Sequence, residues 1–280
     1  MTYDPEPKSQ NYELISQAYY QLGEYRNALG PARRAVELQR QSGQKVKEQS
    51  LLMVRVLHFE LGETDEVIRV LHELIKLYPK EQYWMQLASL YGEQEDQRRQ
   101  LGTLELAYVL GYLDQENEVM SLAGLLLQND LPYRAGNVLQ KGIDDGVIES
   151  SLNNWRLLSQ AWTLAKEDEK AIPALTRAAN MASDGEVDLV LAQSYMNLNR
   201  WDEAVAAAQK ALSKGGLDRP DQAHVLLGQA LFNLERFDEA RQAFVRAQAD
   251  NRSRQLASQW INYIEREQDR LAQLAEALEQ

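Results

Sequence analysis

Apolar side chains recur along this chain at intervals of three and four residues, the spacing that brings them to one face of an α-helix. In residues 237–247, Phe237, Ala240, Phe244 and Ala247 share such a face, and charged residues fill most of the positions between them. No stretch of useful length alternates β-branched and polar residues, so strands are not expected. The pattern predicts an all-α fold.

The helical pattern is itself repeated. Segments that begin at Trp84, Trp155, Asp188 and His224 align without gaps: each has Leu three residues later, then a small residue, and a large residue three positions beyond. A second motif follows each segment and ends on an anchor residue that recurs every 33 to 39 positions. The seven anchors are Ala28, Val67, Gln100, Ala135, Ala171, Ala204 and Ala240.

This pattern, W-x2-L-G-x2-Y followed by A-x3-F-x2-A, resembles the tetratricopeptide repeat (TPR) family, whose unit is about 34 residues. The resemblance implies an α–α superhelix (solenoid) of about seven helical hairpins over residues 9–251. A polar linker at 1–8 would precede it and a capping helix at 252–280 would follow it. The motif is weakest at 115–150, where we expect the array to be most irregular.

Two details of the helix ends are predicted as well. Ser183 and Glu186 have the spacing of a capping box, which would open one first helix. Stacked repeats need a terminal cap with a polar outer face. We therefore expect Leu256, Trp260, Ile261 and Ile264 to form the inner stripe of the capping helix. Trp260 is expected to be buried near Leu231, Phe244 and Ala247.

Composition narrows the function. Among 280 residues, 30 Lys and Arg stand against 42 Asp and Glu, and the net charge of −12 argues against nucleic acid or an anionic membrane as partner. No apolar run approaches the roughly 18 residues that a membrane span needs. Cysteine is absent, which excludes disulfides and thiolate metal sites.

Catalytic motifs are not found. His58, His72 and His224 are the only histidines, and we expect all three to be packed side chains because His58 and His224 occupy large-residue positions of the repeat. Metal-protease, nucleotide-binding and nucleophile-elbow motifs do not occur. We therefore expect a non-enzyme that requires neither a cofactor nor a metal.

The TPR resemblance implies a concave groove, lined by the first helix of each hairpin, that binds a protein or peptide partner. Gln160, Gln193 and Gln229 recur at one structural position, where an amide can donate to and accept from an extended peptide backbone. The other candidate groove residues are Arg156, Leu189, Met196, Val225, Phe232, Met85 and Met120. The alternative is that the glutamines only favour exposed helix and that the apolar residues pack between repeats.

One known binding mode of the family is not expected. Its chaperone-binding members grip a carboxylate with Lys and Asn on successive first helices. The matching positions here are Glu13 and Gln17 in the first repeat, and Leu52 and Val56 in the second. The cationic clamp is absent, which disfavours a co-chaperone role.

A narrower resemblance covers the C-terminal half. Residues 129–135, 215–230 and 258–261 resemble bacterial TPR proteins encoded beside TonB–ExbB–ExbD genes. It implies a periplasmic accessory of TonB-dependent envelope transport in a Gram-negative bacterium. Residues 1–8 lack the features of a signal peptide, so an upstream signal would be needed, and a cytoplasmic scaffold is the alternative. A sensor module that binds a small ligand or signalling peptide also stays open, as does the oligomeric state.

Overall fold

The chain is helical throughout the part that the structure describes. The computed structural model describes residues 8–278, and within this range the regular secondary structure consists of fifteen α-helices. The all-α prediction is confirmed. The helices are α1 (Ser9–Gln21), α2 (Tyr25–Gln41), α3 (Glu48–Glu60), α4 (Thr64–Leu77), α5 (Glu81–Glu93), α6 (Gln97–Val109), α7 (Glu116–Gln128), α8 (Pro132–Asp144), α9 (Leu152–Leu164), α10 (Asp168–Met181), α11 (Glu186–Asn197), α12 (Trp201–Lys214), α13 (Pro220–Asn233), α14 (Phe237–Ala247) and α15 (Asn251–Leu278).

The predicted polar linker lies outside the described residues, except for Lys8, which precedes α1 with an extended backbone. Residues 279–280 of the predicted capping helix also lie outside them. Within residues 8–278, every helix is too short or too polar to serve as a membrane span.

The chain divides into two units between Asp114 and Gln115. The first unit contains α1–α6 and the second contains α7–α15. This boundary falls at the start of the segment in which the sequence motif is weakest. A continuous array of seven repeats over residues 9–251 stays a prediction.

Within each unit the helices pack as consecutive hairpins, α1 with α2 through α13 with α14, and α15 packs on α14 and α13. Every anchor residue of the sequence motif is the fourth residue of a second helix, so the predicted register is confirmed. Ala28, Ala135, Ala171 and Ala240 are completely buried at these positions because a small side chain lets the paired helices approach closely. Gln100 is the exception and is only half-buried.

The seven hairpins close with the same turn. The second residue after each first helix has a left-handed backbone, with φ between 55° and 74°. The N–H of the next residue then donates to a carbonyl five positions earlier, as from Glu167 to Trp162 and from Arg200 to Tyr195, both at 2.9 Å. This Schellman-type pairing satisfies carbonyls that the helix end would leave free. The left-handed residues are Gly23, Gly62, Glu95, Asp130, Lys166, Asn199 and Glu235.

The predicted capping box at Ser183 is wrong, because α11 begins one residue after Gly185 and has that glycine as its N-cap. The Gly185 N–H donates to the carbonyl of Gly215 at 2.9 Å. A Cβ on Gly185 would lie 2.1 Å from the carbonyl oxygen of Ala211. The close approach of the last turn of α12 and of the loop that follows it therefore sets this helix start.

The inner face of α15 differs by a fraction of a turn from the predicted one. Leu256 is 43% exposed, whereas Ser253 and Ala257 are buried together with Ile261 and Ile264. The Ser253 hydroxyl donates to the Asp221 carboxylate at 2.6 Å, and this bond draws the start of α15 inward on its polar side.

Trp260 packs against Phe244, one of its three predicted neighbours, but it is half-buried, which corrects the expectation of full burial. Its ring stacks on Phe244, with centroids 5.3 Å apart and planes 4° from parallel. It also meets Phe232 edge-on at 5.3 Å. Within residues 8–278 no further hairpin follows α15, and one side of the indole is left partly exposed.

Candidate peptide-binding groove

A cavity of about 540 Å³ opens between α9, α10 and α11 in the second unit. We call it the α9–α11 groove, since α9 and α11 are the first helices of two consecutive hairpins. Its lining residues are Arg156, Ser159, Gln160, Thr163, Leu164, Leu175, Asp184, Glu186, Val187 and Val190. Their spacing on α9 and α11 places them on one face of each helix.

The groove combines a buried apolar floor with exposed apolar sides. Leu175 and Val187 are buried, whereas Leu164 is 56% exposed and Val190 is 41% exposed. Exposed apolar side chains are common on protein surfaces, but here two of them line a concave surface together. Such a surface gains free energy when an apolar side chain of a partner displaces its water.

The rim of the groove is polar. The Asp184 carboxylate accepts a hydrogen bond from the Glu186 N–H at 3.1 Å, which fixes it at the start of α11. Arg156 approaches the same carboxylate with its Nη2 at 3.4 Å, a long contact for an ion pair. The arginine is 40% exposed, so its guanidinium can also reach a partner at the rim.

One polar atom inside the groove is unsatisfied. The Oγ1 of Thr163 is buried and has no hydrogen-bond partner among the described residues. A buried hydroxyl without a partner costs free energy, and a partner backbone that entered the groove could supply the missing bond. Gln160, which lies three residues before Thr163 on α9, is exposed and offers an amide at the same surface.

Of the predicted groove residues, Arg156 and Gln160 are brought together in this cavity. Gln193 and Gln229 do not line it. The Gln193 amide is exposed and donates to Asn197 Oδ1 at 3.0 Å, and Gln229 is half-buried on α13. The three glutamines therefore occupy equivalent helices but different surroundings.

The predicted apolar residues lie mostly between helices. Leu189 and Val225 are 8% and 7% exposed. Leu189 belongs to a core cluster in the second unit, against which Met196 packs. Phe232 contacts the rings of Phe237, Trp260 and Tyr263 with centroids 5.3 to 5.5 Å away. For these residues the alternative, packing between repeats, describes what their side chains do.

The two remaining candidates are half-buried and lie in different units: Met85 is on α5 and Met120 on α7. Leu164, Val190 and Asp184 are not among the predicted groove residues. Leu164 carries a signal that could have revealed it, since it lies one helical turn after Gln160 and ends α9 as an apolar residue beside a turn.

Two of the three histidines are packed as predicted, but His72 is exposed, which corrects the expectation for that residue. His58 is buried, with Nδ1 2.5 Å from Glu63 Oε2 and Nε2 3.1 Å from Arg33 Nη2. The Nε2 of His72 lies 2.9 Å from the hydroxyl of Tyr91. His224 is half-buried, and burial lowers its pKa, with a smaller contribution from the charge of Arg246.

Comparison with known proteins agrees with the helical-hairpin fold. A family model described as Tetratricopeptide repeat matches residues 189–254, which run from α11 into α15. Among curated proteins, none matches the sequence. Solved structures match a larger part of this chain than the family model does, at low sequence identity.

Three solved structures illustrate it. Naa15/Naa10 bound to HypK-THB is 17% identical with a TM-score of 0.61, over 91% of this chain and 39% of that one. YrrB, titled a TPR protein with an unusual peptide-binding site, is 16% identical with a TM-score of 0.50, over 68% of this chain and 96% of its own. A tetratricopeptide repeat protein from Parabacteroides merdae is 14% identical with a TM-score of 0.40, over 91% and 99%.

This chain thus spans about two fifths of the length of the first of these proteins. At these identities the likeness concerns the fold. Together, the repeat match at 189–254 and the two structures with TM-scores of 0.50 and above show that the chain has the helical-hairpin fold of TPR proteins.

Proposed function

We propose that this protein is a non-catalytic interaction scaffold and that the α9–α11 groove binds a peptide segment of a partner protein. The observation that carries the proposal is the joint exposure of Leu164 and Val190 in one cavity, above a buried floor and beside the loosely paired Arg156 and Asp184. Small-molecule and peptide sites commonly combine a mostly apolar lining with a few polar groups that fix orientation.

The groove favours an extended segment that inserts one or two apolar side chains. The backbone of such a segment has unpaired N–H and C=O groups, and the amide of Gln160 can pair with either kind. The Thr163 hydroxyl can pair with a second backbone group. Burial of a single Leu-sized side chain contributes roughly 2 kcal/mol, so this groove alone supports weak binding, and a longer segment would gain affinity from neighbouring repeats.

The partner is proposed more narrowly as a component of a TonB-dependent envelope transport system in the periplasm of a Gram-negative bacterium. This part rests on the sequence resemblance at 129–135, 215–230 and 258–261. The second candidate, a sensor module that binds a small ligand or signalling peptide, would use the same groove. In vivo crosslinking of the chain, exported to the periplasm, to TonB, ExbB or ExbD tests the narrower proposal. Crosslinks no more frequent than those of an unrelated exported protein would contradict it.

The groove itself is tested with peptides selected from a random library against the full chain. Affinities are then measured by calorimetry for the wild type, Leu164→Asp and Val190→Asp. A charge placed against the apolar segment should weaken binding by about tenfold or more.

Val245→Asp is the matched control, because Val245 is a 47% exposed valine on α14 outside the groove. It should leave the affinity nearly unchanged. Equal affinities for the groove variants and the control would contradict the assignment of the peptide site to this groove.

A further inference from the structure

A second cavity, of about 430 Å³, lies in the first unit between α1, α2 and α3. The proposed peptide site does not include it. Tyr20, Leu52, Met53 and Val56 form an apolar wall, and Glu13, Ser16 and Lys47 contribute polar groups. We call it the α1–α3 cavity. Glu13, Ser16 and Tyr20 lie on one face of α1, because they are spaced by three and four residues.

Ser16 supplies the first indication of a ligand. Its side chain is completely buried and lines the cavity. Its Oγ nevertheless has no hydrogen-bond partner among the described residues. Buried hydroxyls in proteins are normally paired, so an unpaired one in the wall of a cavity marks a place where a bound molecule can complete the bond.

Glu13 supplies the second indication of a ligand, because its carboxylate is held in place. The Oε1 atom accepts hydrogen bonds from Gln39 Nε2 at 2.6 Å and from Ser50 Oγ at 3.1 Å. Gln39 is buried and is fixed in turn, since its Oε1 accepts the Lys47 N–H at 2.9 Å. The carboxylate is therefore positioned before any ligand arrives.

The second oxygen of Glu13 has spare capacity. Among the described residues, Oε2 accepts only from Lys47 Nζ, at 3.3 Å, and the same ammonium group also lies 3.2 Å from Oε1. The Lys47 side chain is 49% exposed, so its ammonium group is a solvated counterion that another cation can replace at little cost. A carboxylate with two lone pairs per oxygen can accept further donors at this atom.

We propose that the α1–α3 cavity binds a primary ammonium group carried on a hydrocarbon chain. The ammonium replaces Lys47 at Glu13 Oε2 and donates a second hydrogen bond to Ser16 Oγ. The hydrocarbon chain packs on Tyr20, Leu52 and Val56. The same chemistry is present in a free alkylamine and in a lysine side chain of a peptide. An anionic ligand is disfavoured, because the fixed charge in the cavity is that of Glu13.

The test uses the full chain and four probes: hexylamine, hexanoate, hexanol and Nα-acetyl-lysine amide. Binding is followed by calorimetry and by ligand-observed NMR. Hexylamine should bind more tightly than hexanol, and hexanoate most weakly. Comparison of hexylamine with Nα-acetyl-lysine amide distinguishes a free amine from a lysine side chain as the natural source of the group.

Two variants move the affinity for hexylamine in opposite directions. Glu13→Gln removes the charge and should weaken binding by about tenfold or more. Lys47→Met removes the competing cation and should strengthen hexylamine binding by roughly threefold to tenfold while weakening hexanoate. Glu60→Gln, an exposed carboxylate on α3 that does not line the cavity, is the matched control and should change nothing.

Lys47→Met keeps the proposal testable if Glu13→Gln disturbs folding, because Lys47 is half exposed and its loss leaves the Gln39 and Ser50 bonds in place. Failure of hexylamine to bind the wild type, unchanged affinity in Lys47→Met, or tighter binding of hexanoate would each overturn the proposal. Because the peptide groove belongs to the other unit, Leu164→Asp should not alter hexylamine binding, and the two proposals can fail separately.

Discussion

Gly228 on α13 lies directly against the ring of Phe244 on α14. A Cβ at Gly228 would stand 2.7 Å from Cε2 and Cζ of that ring, closer than carbon atoms normally approach. Phe244 is completely buried, and the same ring stacks on Trp260. The ring is therefore confined by its neighbours, and the absence of a side chain at position 228 sets the distance between the last two repeat helices.

Gly228→Ala is expected to destabilise the protein. The added methyl group must displace the Phe244 ring or separate α13 from α14, at a cost of about 1–3 kcal/mol. Gly124→Ala is the control, because Gly124 lies within α7 and has open space where its Cβ would be. That change should raise the free energy of unfolding by about 0.5–1 kcal/mol, since alanine favours helix. Denaturant unfolding of both variants measures the two effects, and changes of the same sign would contradict the packing argument.

The hairpin turn at Lys166 can be improved by substitution. Lys166 has a φ of 61°, a conformation that costs residues with a Cβ about 1–2 kcal/mol. Lys166→Gly should therefore raise the free energy of unfolding, by about 0.5–1 kcal/mol after the greater freedom of glycine in the unfolded chain is counted. Arg177→Gly, at an exposed site inside α10 of the same hairpin, should lower it by about 1 kcal/mol. A loss of stability in Lys166→Gly would contradict the explanation.

The stability that comes from the contact of α15 with Asp221 should depend on pH. Hydrogen bonds from the Arg219 guanidinium and the Ser253 hydroxyl lower the pKa of Asp221 well below its usual range. A carboxyl group whose pKa is lowered by folding stabilises the folded state above its unfolded pKa of about 3.9, and this contribution is lost as the pH falls below that value.

Asp221→Asn should therefore cost about 2–3 kcal/mol at neutral pH, and the difference from the wild type should shrink as the pH falls below about 4. Unfolding followed by Trp fluorescence between neutral and acidic pH measures this, because Trp260 lies on α15. A difference that does not depend on pH would show that the charge of Asp221 is not responsible. Ser253→Ala removes one of the two donors and should have a smaller effect of the same sign.

The three equivalent glutamines should contribute unequally to peptide binding. Gln160 lines the α9–α11 groove, whereas Gln193 and Gln229 do not. For the peptides selected above, Gln160→Ala should weaken binding by roughly twofold to tenfold, the value of one neutral hydrogen bond. Gln193→Ala and Gln229→Ala should leave calorimetric affinities nearly unchanged. Equal losses at all three positions would indicate a segment that spans three first helices.

The repeat register was predictable because it depends on small residues at fixed spacing. At a position such as Ala171, the close contact between paired helices requires a small residue and also buries that residue. A small residue at the repeated position therefore predicts both the contact and the burial. The direction in which a side chain of a first helix points was harder to predict from the sequence than the repeat register. Leu189 and Val225 are apolar residues at positions expected to face a groove. They are buried because their side chains point toward adjacent helices.

The buried face of α15 and the lining of the α9–α11 groove were likewise hard to predict from the sequence. Ser253 is buried because Asp221 accepts its hydrogen bond, and a pairing across 32 residues leaves no periodic signal in the sequence. Leu164 and Val190 are distant in sequence and become neighbours only when α9 and α11 pack beside each other. Hydrophobic periodicity identifies the helices and their hairpins, but long-range polar contacts and the rotation of each helix decide which residues form a site.

α15 is a single helix whose first part packs against other helices and whose last part extends beyond them. Its buried residues end at Ile264, and the last hydrogen bond to another helix within the described residues runs from Gln268 to Asp238. At 1.5 Å per residue, the ten residues from Asp269 to Leu278 extend about 15 Å beyond that bond. Amide hydrogens on either side of Gln268 should thus exchange with deuterium at very different rates, although no break in the helix separates them.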